Sequence, residues 1–288
     1  MIRFPGRTAV RDRPVFILGS GRCGSTLLQS ILNSNPKFLI WGEHNGFLRP
    51  VAEAYYGAAH QHFPVEEALN IRGRKQRLRH PEHWNAWDNL CGPDEFRDRF
   101  RSFVRSLFAD PSGKSPRWGF KEIRYGMEAS DQSPRLLAEC FPEARFVILT
   151  RDPWETVFSM IAHWVLTPPA EALSAAQLDE EILSRSTSWN GQYLQLSLFA
   201  EAHARQCTSI RYEELDRPAT YEGLAEFLEA SRFDYRTHLE RVHGAANKAG
   251  DAVARLRERM ELLRPRVEEI TRPAALRYGY AGRTAGAR

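Results

Sequence analysis

The chain has 288 residues, 42% of them hydrophobic, enough for one substantial core with a helical elaboration. Its formal charge of +4 and pI near 8.9 suit a small polyanionic ligand and fall short of a dedicated nucleic-acid binder. No apolar run is long enough to span a bilayer, residues 1–14 lack the apolar core of a signal peptide, and Cys23, Cys91, Cys140 and Cys207 show neither metal-ligand nor disulfide spacing. A cytoplasmic protein with reduced thiols, no stable membrane insertion and no metal is therefore expected.

The first predicted element is a short β-branched run, Val15 to Leu18, followed by small residues from Gly19 to Ser25 and by Leu27, Leu28, Ile31 and Leu32 at helical spacing. This is a strand, a tight loop and a helix. Such a loop turns successive backbone N–H groups toward an anion, and the helix start adds about half a positive charge. Gly19, Gly24 and Thr26 fit the nucleotide-phosphate pattern G-x-x-x-x-G-K-[ST], but Ser25 stands where that pattern has lysine. The exchange argues against ATP hydrolysis or kinase chemistry. A thiol-phosphatase loop built on Cys23 would need an arginine six residues on, where Gln29 stands.

Phe38 to Trp41 predict the next strand, and Gly42-Glu43-His44 puts a carboxylate at its end, where open parallel sheets bind ligands. The alternative for Glu43 is an acid at the start of a helix beginning near Asn45. Between Phe47 and Asn89 aromatics gather, as on the acceptor side or lid of a cleft, and Arg72 to Arg79 form a basic run. That run reads as a solvated face, with recognition of an acidic acceptor as the alternative. His60, His62, His80 and His83 have no zinc spacing. Asp94 opens an amphipathic helix with Phe96, Phe100, Phe103, Val104, Leu107 and Phe108 on one inward stripe. Arg117 to Glu122 return as a strand carrying Lys121 near its end, and a helix is predicted over Ser133 to Phe141.

Phe146 to Thr150 predict a buried parallel strand, after which Asp152 caps and Pro153 opens a helix. A long helix is predicted from Leu178 to about Ala204, interrupted near Asn190-Gly191, then a strand from Thr208 into the acidic turn Arg211-Tyr212-Glu213-Glu214-Leu215. A surface helix spans Asp216 to Glu229, and a last helix burying Val253, Leu256, Met260 and Leu263 is expected to break near Pro265. The organisation predicted is one domain over 1–288, with a core at 14–280, a mainly helical acceptor-side insertion at 47–116 and a tail at 281–288.

Two of these segments carry a family resemblance. Arg22-Cys23-Gly24-Ser25-Thr26 resembles the 5′-phosphosulfate loop of the sulfotransferases, usually written [RK]-S-G-T-[TS], with Cys23 in place of the usual serine. Arg151-Asp152-Pro153 with Ser159 matches their 3′-phosphate segment, commonly R-D-P-x(5)-S. The resemblance implies a P-loop-like, three-layer α/β/α fold with a central parallel sheet. It implies 3′-phosphoadenosine 5′-phosphosulfate (PAPS) as donor, adenosine 3′,5′-bisphosphate (PAP) as product, no metal, and an acceptor bearing a hydroxyl.

By the same resemblance, Arg22, Cys23, Gly24, Ser25 and Thr26 hold the 5′-phosphosulfate, Arg22 and Lys121 stabilise the transferring and leaving groups, and Arg151 with Ser159 selects the 3′-phosphate. Two cationic pockets would thus grip opposite ends of one adenylate donor. Gly42-Glu43 is similar to the Gly-Glu of the Golgi-type tyrosylprotein and carbohydrate branch, which makes Glu43 the acceptor base and His44 the second candidate. Tyr212 corresponds to a tyrosine that touches the nucleotide, Lys248 to a loop that closes on it, and Leu276 to Tyr280 to the family's L-G-Y ending. His163 stands where that branch has an arginine. A carbohydrate, a tyrosyl or other phenol and a natural product remain open as acceptors. A non-catalytic nucleotide-binding module and a nucleotide kinase are the competing functions.

Overall fold

The computed structural model describes residues 13–62, 93–128, 131–166, 173–243 and 251–280. Five strands form one parallel sheet: β1 (Val15–Gly19), β2 (Phe38–Trp41), β3 (Arg117–Glu122), β4 (Arg145–Thr150) and β5 (Cys207–Arg211), in the order β2-β3-β1-β4-β5. The central pair explains the sequence pattern. Every residue of β1 is buried, because helices cover both faces and a strand between two apolar layers cannot alternate polar and apolar residues.

The two-residue period of the strands sorts their side chains into two cores. Phe16, Leu18, Trp118, Phe120, Phe146 and Ile148 face one side. There they pack under α2 (Leu48–His62), α3 (Pro93–Phe108), α4 (Ser133–Cys140) and α6 (Ala175–Ala202). Val15, Ile17, Val147 and Leu149 face the other, against α1 (Ser25–Asn33) and α7 (Pro218–Phe227), with α8 (Arg236–His243) beyond. A third cluster joins α5 (Pro153–Met160), α6 and α9 (Asp251–Arg277) through Val157, Ile161, Ile182 and Met260. The fold is therefore the three-layer α/β/α arrangement with a central parallel sheet that the sequence implies. Among the described residues no helix is long and apolar enough to cross a membrane.

Three local expectations are corrected. The stripe on α3 is narrower than predicted: Phe100, Val104 and Phe108 are buried, while Phe103 and Leu107 are 45% and 46% exposed. Steps of four residues keep to one line on a helix, whereas 103 and 107 fall on its flank. Helix α6 runs unbroken through Asn190 and Gly191, because Asn190 turns its side chain outward and its Oδ1 accepts the Ala274 N–H at 3.0 Å. Helix α9 likewise continues through Pro265 and Pro273, held along its length against α6 with Leu256, Met260, Val267 and Ala274 buried. The Asn190 bond satisfies a backbone donor beside Pro273, where the helical ladder is interrupted.

Gly119 allows β3 to lie against β1. A Cβ there would stand 1.8 Å from the Val15 carbonyl oxygen and 2.7 Å from its carbon, both main-chain atoms of a fully buried strand. Gly119→Ala is expected to cost about 3 kcal/mol, read as a lower urea midpoint at unchanged slope.

Candidate active site

Strand β1 delivers the loop at residues 20–24 to the carboxyl end of the sheet, and α6 fastens it there. Tyr193 Oη accepts the Ser20 N–H at 3.1 Å and donates to the Leu149 carbonyl at 2.7 Å. The neighbouring Gln192 Nε2 reaches the carbonyl oxygens of Gly19, Ile123 and Tyr125 at 3.2, 2.8 and 2.9 Å. The ends of β1, β3 and β4 are thereby tied to one turn of one helix.

The loop itself is bare backbone. Gly24 has a φ of 93°, and α1 starts after it with no side-chain cap, so the amides of the first turn lack the usual side-chain acceptor. A Cβ at Gly21 would lie 1.9 Å from the Trp164 ring and one at Gly24 2.3 Å from the Tyr212 ring. Aromatic rings thus crowd both glycines, and at Gly24 the left-handed φ is a further reason for glycine. Cys23 contributes only its main chain: its thiol is fully buried beside Ser25 and Tyr193, and burial pushes its pKa up, so it stays protonated.

The Arg-Asp-Pro segment arrives from β4. Asp152 caps α5 by accepting the Glu155 N–H at 3.2 Å, and its own N–H donates to Glu213 Oε1 at 2.9 Å. Arg151 Nη1 donates to the Arg22 carbonyl at 3.1 Å and its guanidinium lies 4.7 Å from the centre of the Tyr212 ring. Arg22, at a left-handed φ of 62°, donates from Nε to Ser159 Oγ at 3.2 Å. The residues expected at opposite ends of a donor are therefore neighbours: Arg22, Arg151, Ser159 and Tyr212 form one continuous cluster.

A second group stands at the ends of β2 and β3. Glu43 takes the Lys121 ammonium on Oε1 at 2.5 Å and Arg124 Nη1 on Oε2 at 3.0 Å. Burial favours a raised Glu43 pKa, but the two bonded cations outweigh it and hold the carboxyl below the usual carboxylate range. Beneath them, fully buried Glu122 accepts the N–H groups of His44, Gly46, Ile123 and Arg124 at 3.2, 2.8, 2.9 and 3.2 Å. This carboxylate is the template on which the loop after β2 is folded.

His44 belongs to the packing below that loop. Its side chain is 7% exposed, Phe47, Phe120 and Tyr125 surround the ring, and Tyr125 Oη lies 3.1 Å from Nε2. Burial lowers its pKa, keeping it neutral. No helix starts at Asn45; α2 begins at Leu48, so Glu43 is not a helix-start acid.

A cleft of about 600 Å³ joins the two groups. Arg22, Thr26, Arg151 and Tyr212 line one part of it, and Glu43, Arg124, Met127 and Trp189 another. Lys121 reaches Glu43 from below, its side chain 7% exposed. Lys248 and the basic run 72–79 lie outside the described residues, while His163 is exposed on the π-helical turn Ile161–Val165 that extends α5. Among the described residues no group of three or more His, Cys, Asp or Glu is placed to hold a metal.

The sequence did not point to Arg124, Glu122, Trp164 or Gln192. An acid ending the strand Arg117–Glu122, with a base two residues on, is a readable signal for Glu122 and Arg124. Gln192 and Trp164 act on partners between 67 and 173 residues away and leave no local mark.

A phosphate-loop α/β protein with a cationic cleft at the strand ends is the class these features define. The model of the sulfotransferase family matches residues 14–234, and the chain belongs to that family. The fold is similar to the sulfotransferase domain of the Synechococcus PCC 7002 olefin synthase, at 16% identity over 98% of this chain and 100% of that one, with a TM-score of 0.51. It is also similar to the sulfotransferase domain of the curacin biosynthetic pathway, at 15% identity over 92% and 97%, with a TM-score of 0.50. At these identities the likeness is one of fold. No curated protein sequence matches the chain at a significant level.

Proposed function

We propose that this sulfotransferase uses PAPS as donor and transfers the sulfuryl group to a hydroxyl on an acceptor with an apolar or aromatic body. The observation that carries the reading is one cleft lined by a bare anion loop, Arg22, Arg151 and Glu43, with Ser159 bonded to Arg22 and Lys121 bonded to Glu43 from behind. The fit to such a donor rests on the uncapped start of α1 and on glycines that keep side chains out of the loop.

When bound, the donor supplies a sulfuryl group already attached to a phosphate leaving group. Amides of residues 22–26 and the Arg22 guanidinium hold the 5′ end and neutralise charge on the departing phosphate. Arg151 and Ser159 hold the 3′-phosphate, and Tyr212 offers its ring to the nucleotide. Glu43 takes the acceptor's proton as its oxygen bonds to sulfur, the bond from sulfur to the phosphate oxygen breaks, and Lys121 steadies the group in transit. The apolar half of the acceptor description rests on Met127 and Trp164, 45% and 46% exposed at the cleft. A nucleotide kinase is disfavoured by Ser25, since no lysine reaches out from that position of the loop.

The test is a mass-shift transfer assay with PAPS and pooled phenols, sugars and hydroxylated small molecules, alongside thermal shifts with nucleotides. A sulfated product, and a larger rise in melting temperature with PAP than with ATP and magnesium, are expected. Absence of transfer together with stronger stabilisation by ATP and magnesium would overturn the proposal.

A further inference from the structure

Glu43 carries two cations, although a base requires none. One is a lysine whose ammonium is compact and rotatable, and the other an arginine whose planar fork is held from behind. Arg124 Nη1 lies 3.1 Å from Glu122 Oε1 and 3.0 Å from Glu43 Oε2, so one nitrogen bridges a fully buried carboxylate and the one in the cleft. The Arg124 N–H also donates to Glu122 at 3.2 Å, and Glu122 anchors the backbone at His44 and Gly46 on either side of Asn45. The guanidinium and the loop carrying Glu43 are therefore referenced to the same fixed point.

We propose that Arg124 is a positioning residue for the reaction, holding the Glu43 carboxylate in place and ionised while Lys121 turns from it toward the group in transit. This rests on the reading of Glu43 as the acceptor base. Lys121 pairs with Ile17 in the β1–β3 register, two residues before β1 ends at Gly19, so the cation that holds Glu43 is near enough to the loop for its charge to act on Cys23. With only Lys121 as partner, the carboxylate would lose its orientation at the moment it must accept a proton. Arg124 supplies the second hold and is 41% exposed along the cleft.

The charged groups around Glu43 are Lys121 and Arg124 from the end of β3, Glu122 across Arg124, and neutral His44 beside it in the chain. Arg22 and Arg151 line the cleft from the β1 and β4 loops, and Arg185 from α6. Only Lys121 and Arg124 bond Glu43 directly among the described residues. Removing the arginine charge thus leaves one cation in contact, and the carboxyl pKa rises.

The experiment compares kcat against pH for the wild type, Arg124→Met, Arg124→Lys and Glu43→Gln, with PAP affinity and thermal midpoints measured for each. Arg124→Met is expected to lower kcat about 10- to 100-fold with PAP affinity unchanged, and to move the acid limb up by about one pH unit. Arg124→Lys should return the limb to its wild-type position and recover part of kcat. A fall in kcat with an unmoved acid limb, or no change at all, would overturn the positioning role. If Glu43→Gln retains turnover, the base assignment fails instead; if that variant is inactive and the limb is unmoved, only the role of Arg124 fails. Arg124→Gln provides the same comparison should the methionine variant not fold.

Discussion

Glu43→Gln is expected to lower kcat by about 10²- to 10⁴-fold while leaving PAP affinity within twofold of the wild type. An amide is nearly isosteric with the carboxylate and still accepts from Lys121, but it takes no proton, and its NH₂ group would face the Arg124 donor. The donor cluster is untouched, because Arg22, Arg151 and Ser159 bond one another rather than Glu43. The pH dependence follows from the same contacts. Glu43 has a folded pKa below its unfolded value of about 4.3, so it is ionised throughout the neutral range. Activity and the associated stability are full above that value and are lost only as the pH falls through the lowered one. Unchanged turnover in the variant would remove Glu43 as the base.

Arg151→Ala is expected to weaken PAP binding about 10- to 100-fold, the equivalent of about one charge-assisted hydrogen bond, and to change 5′-AMP binding far less. Arg151 is stacked on Tyr212 and bonded to the Arg22 carbonyl, so its fork is oriented before any ligand arrives. Arg151→Lys should recover little, since a point charge neither stacks nor forks. Titration calorimetry with both nucleotides checks this. Equal losses for PAP and 5′-AMP would show that Arg151 supports the loop rather than the 3′-phosphate.

The parts legible in the sequence are those in which chemistry and local geometry coincide. Val15 to Leu32 encode strand, loop and helix within one stretch, and the close approach of Trp164 and Tyr212 gives a reason for Gly21 and Gly24. Asp152 and Pro153 signal the start of α5, and the Asp152 cap is present. The contact between Arg22 and Ser159 is not local. The sequence places them 137 residues apart and suggests separate pockets, whereas the sheet order sets β1 beside β4 and brings their loops together.

Helix continuity depends on tertiary packing for a related reason. Gly191 and Pro265 weaken a helix considered alone, but α6 and α9 stabilise each other along their shared face. Of the two partners of Glu43, Lys121 is legible through the family resemblance, whereas Arg124, three residues further on, is tied to Glu43 beside a buried carboxylate whose contacts only the folded loop reveals.

Helix α6 lines the cleft with Arg185, Ser188 and Trp189, and Gln192 both lines it and, with Tyr193, clamps the strand ends. Substrate tolerance can therefore drift through changes at Arg185 and Ser188 without loosening the grip on the nucleotide. Change at Gln192 and Tyr193 has no such freedom, because it disturbs three strands at once.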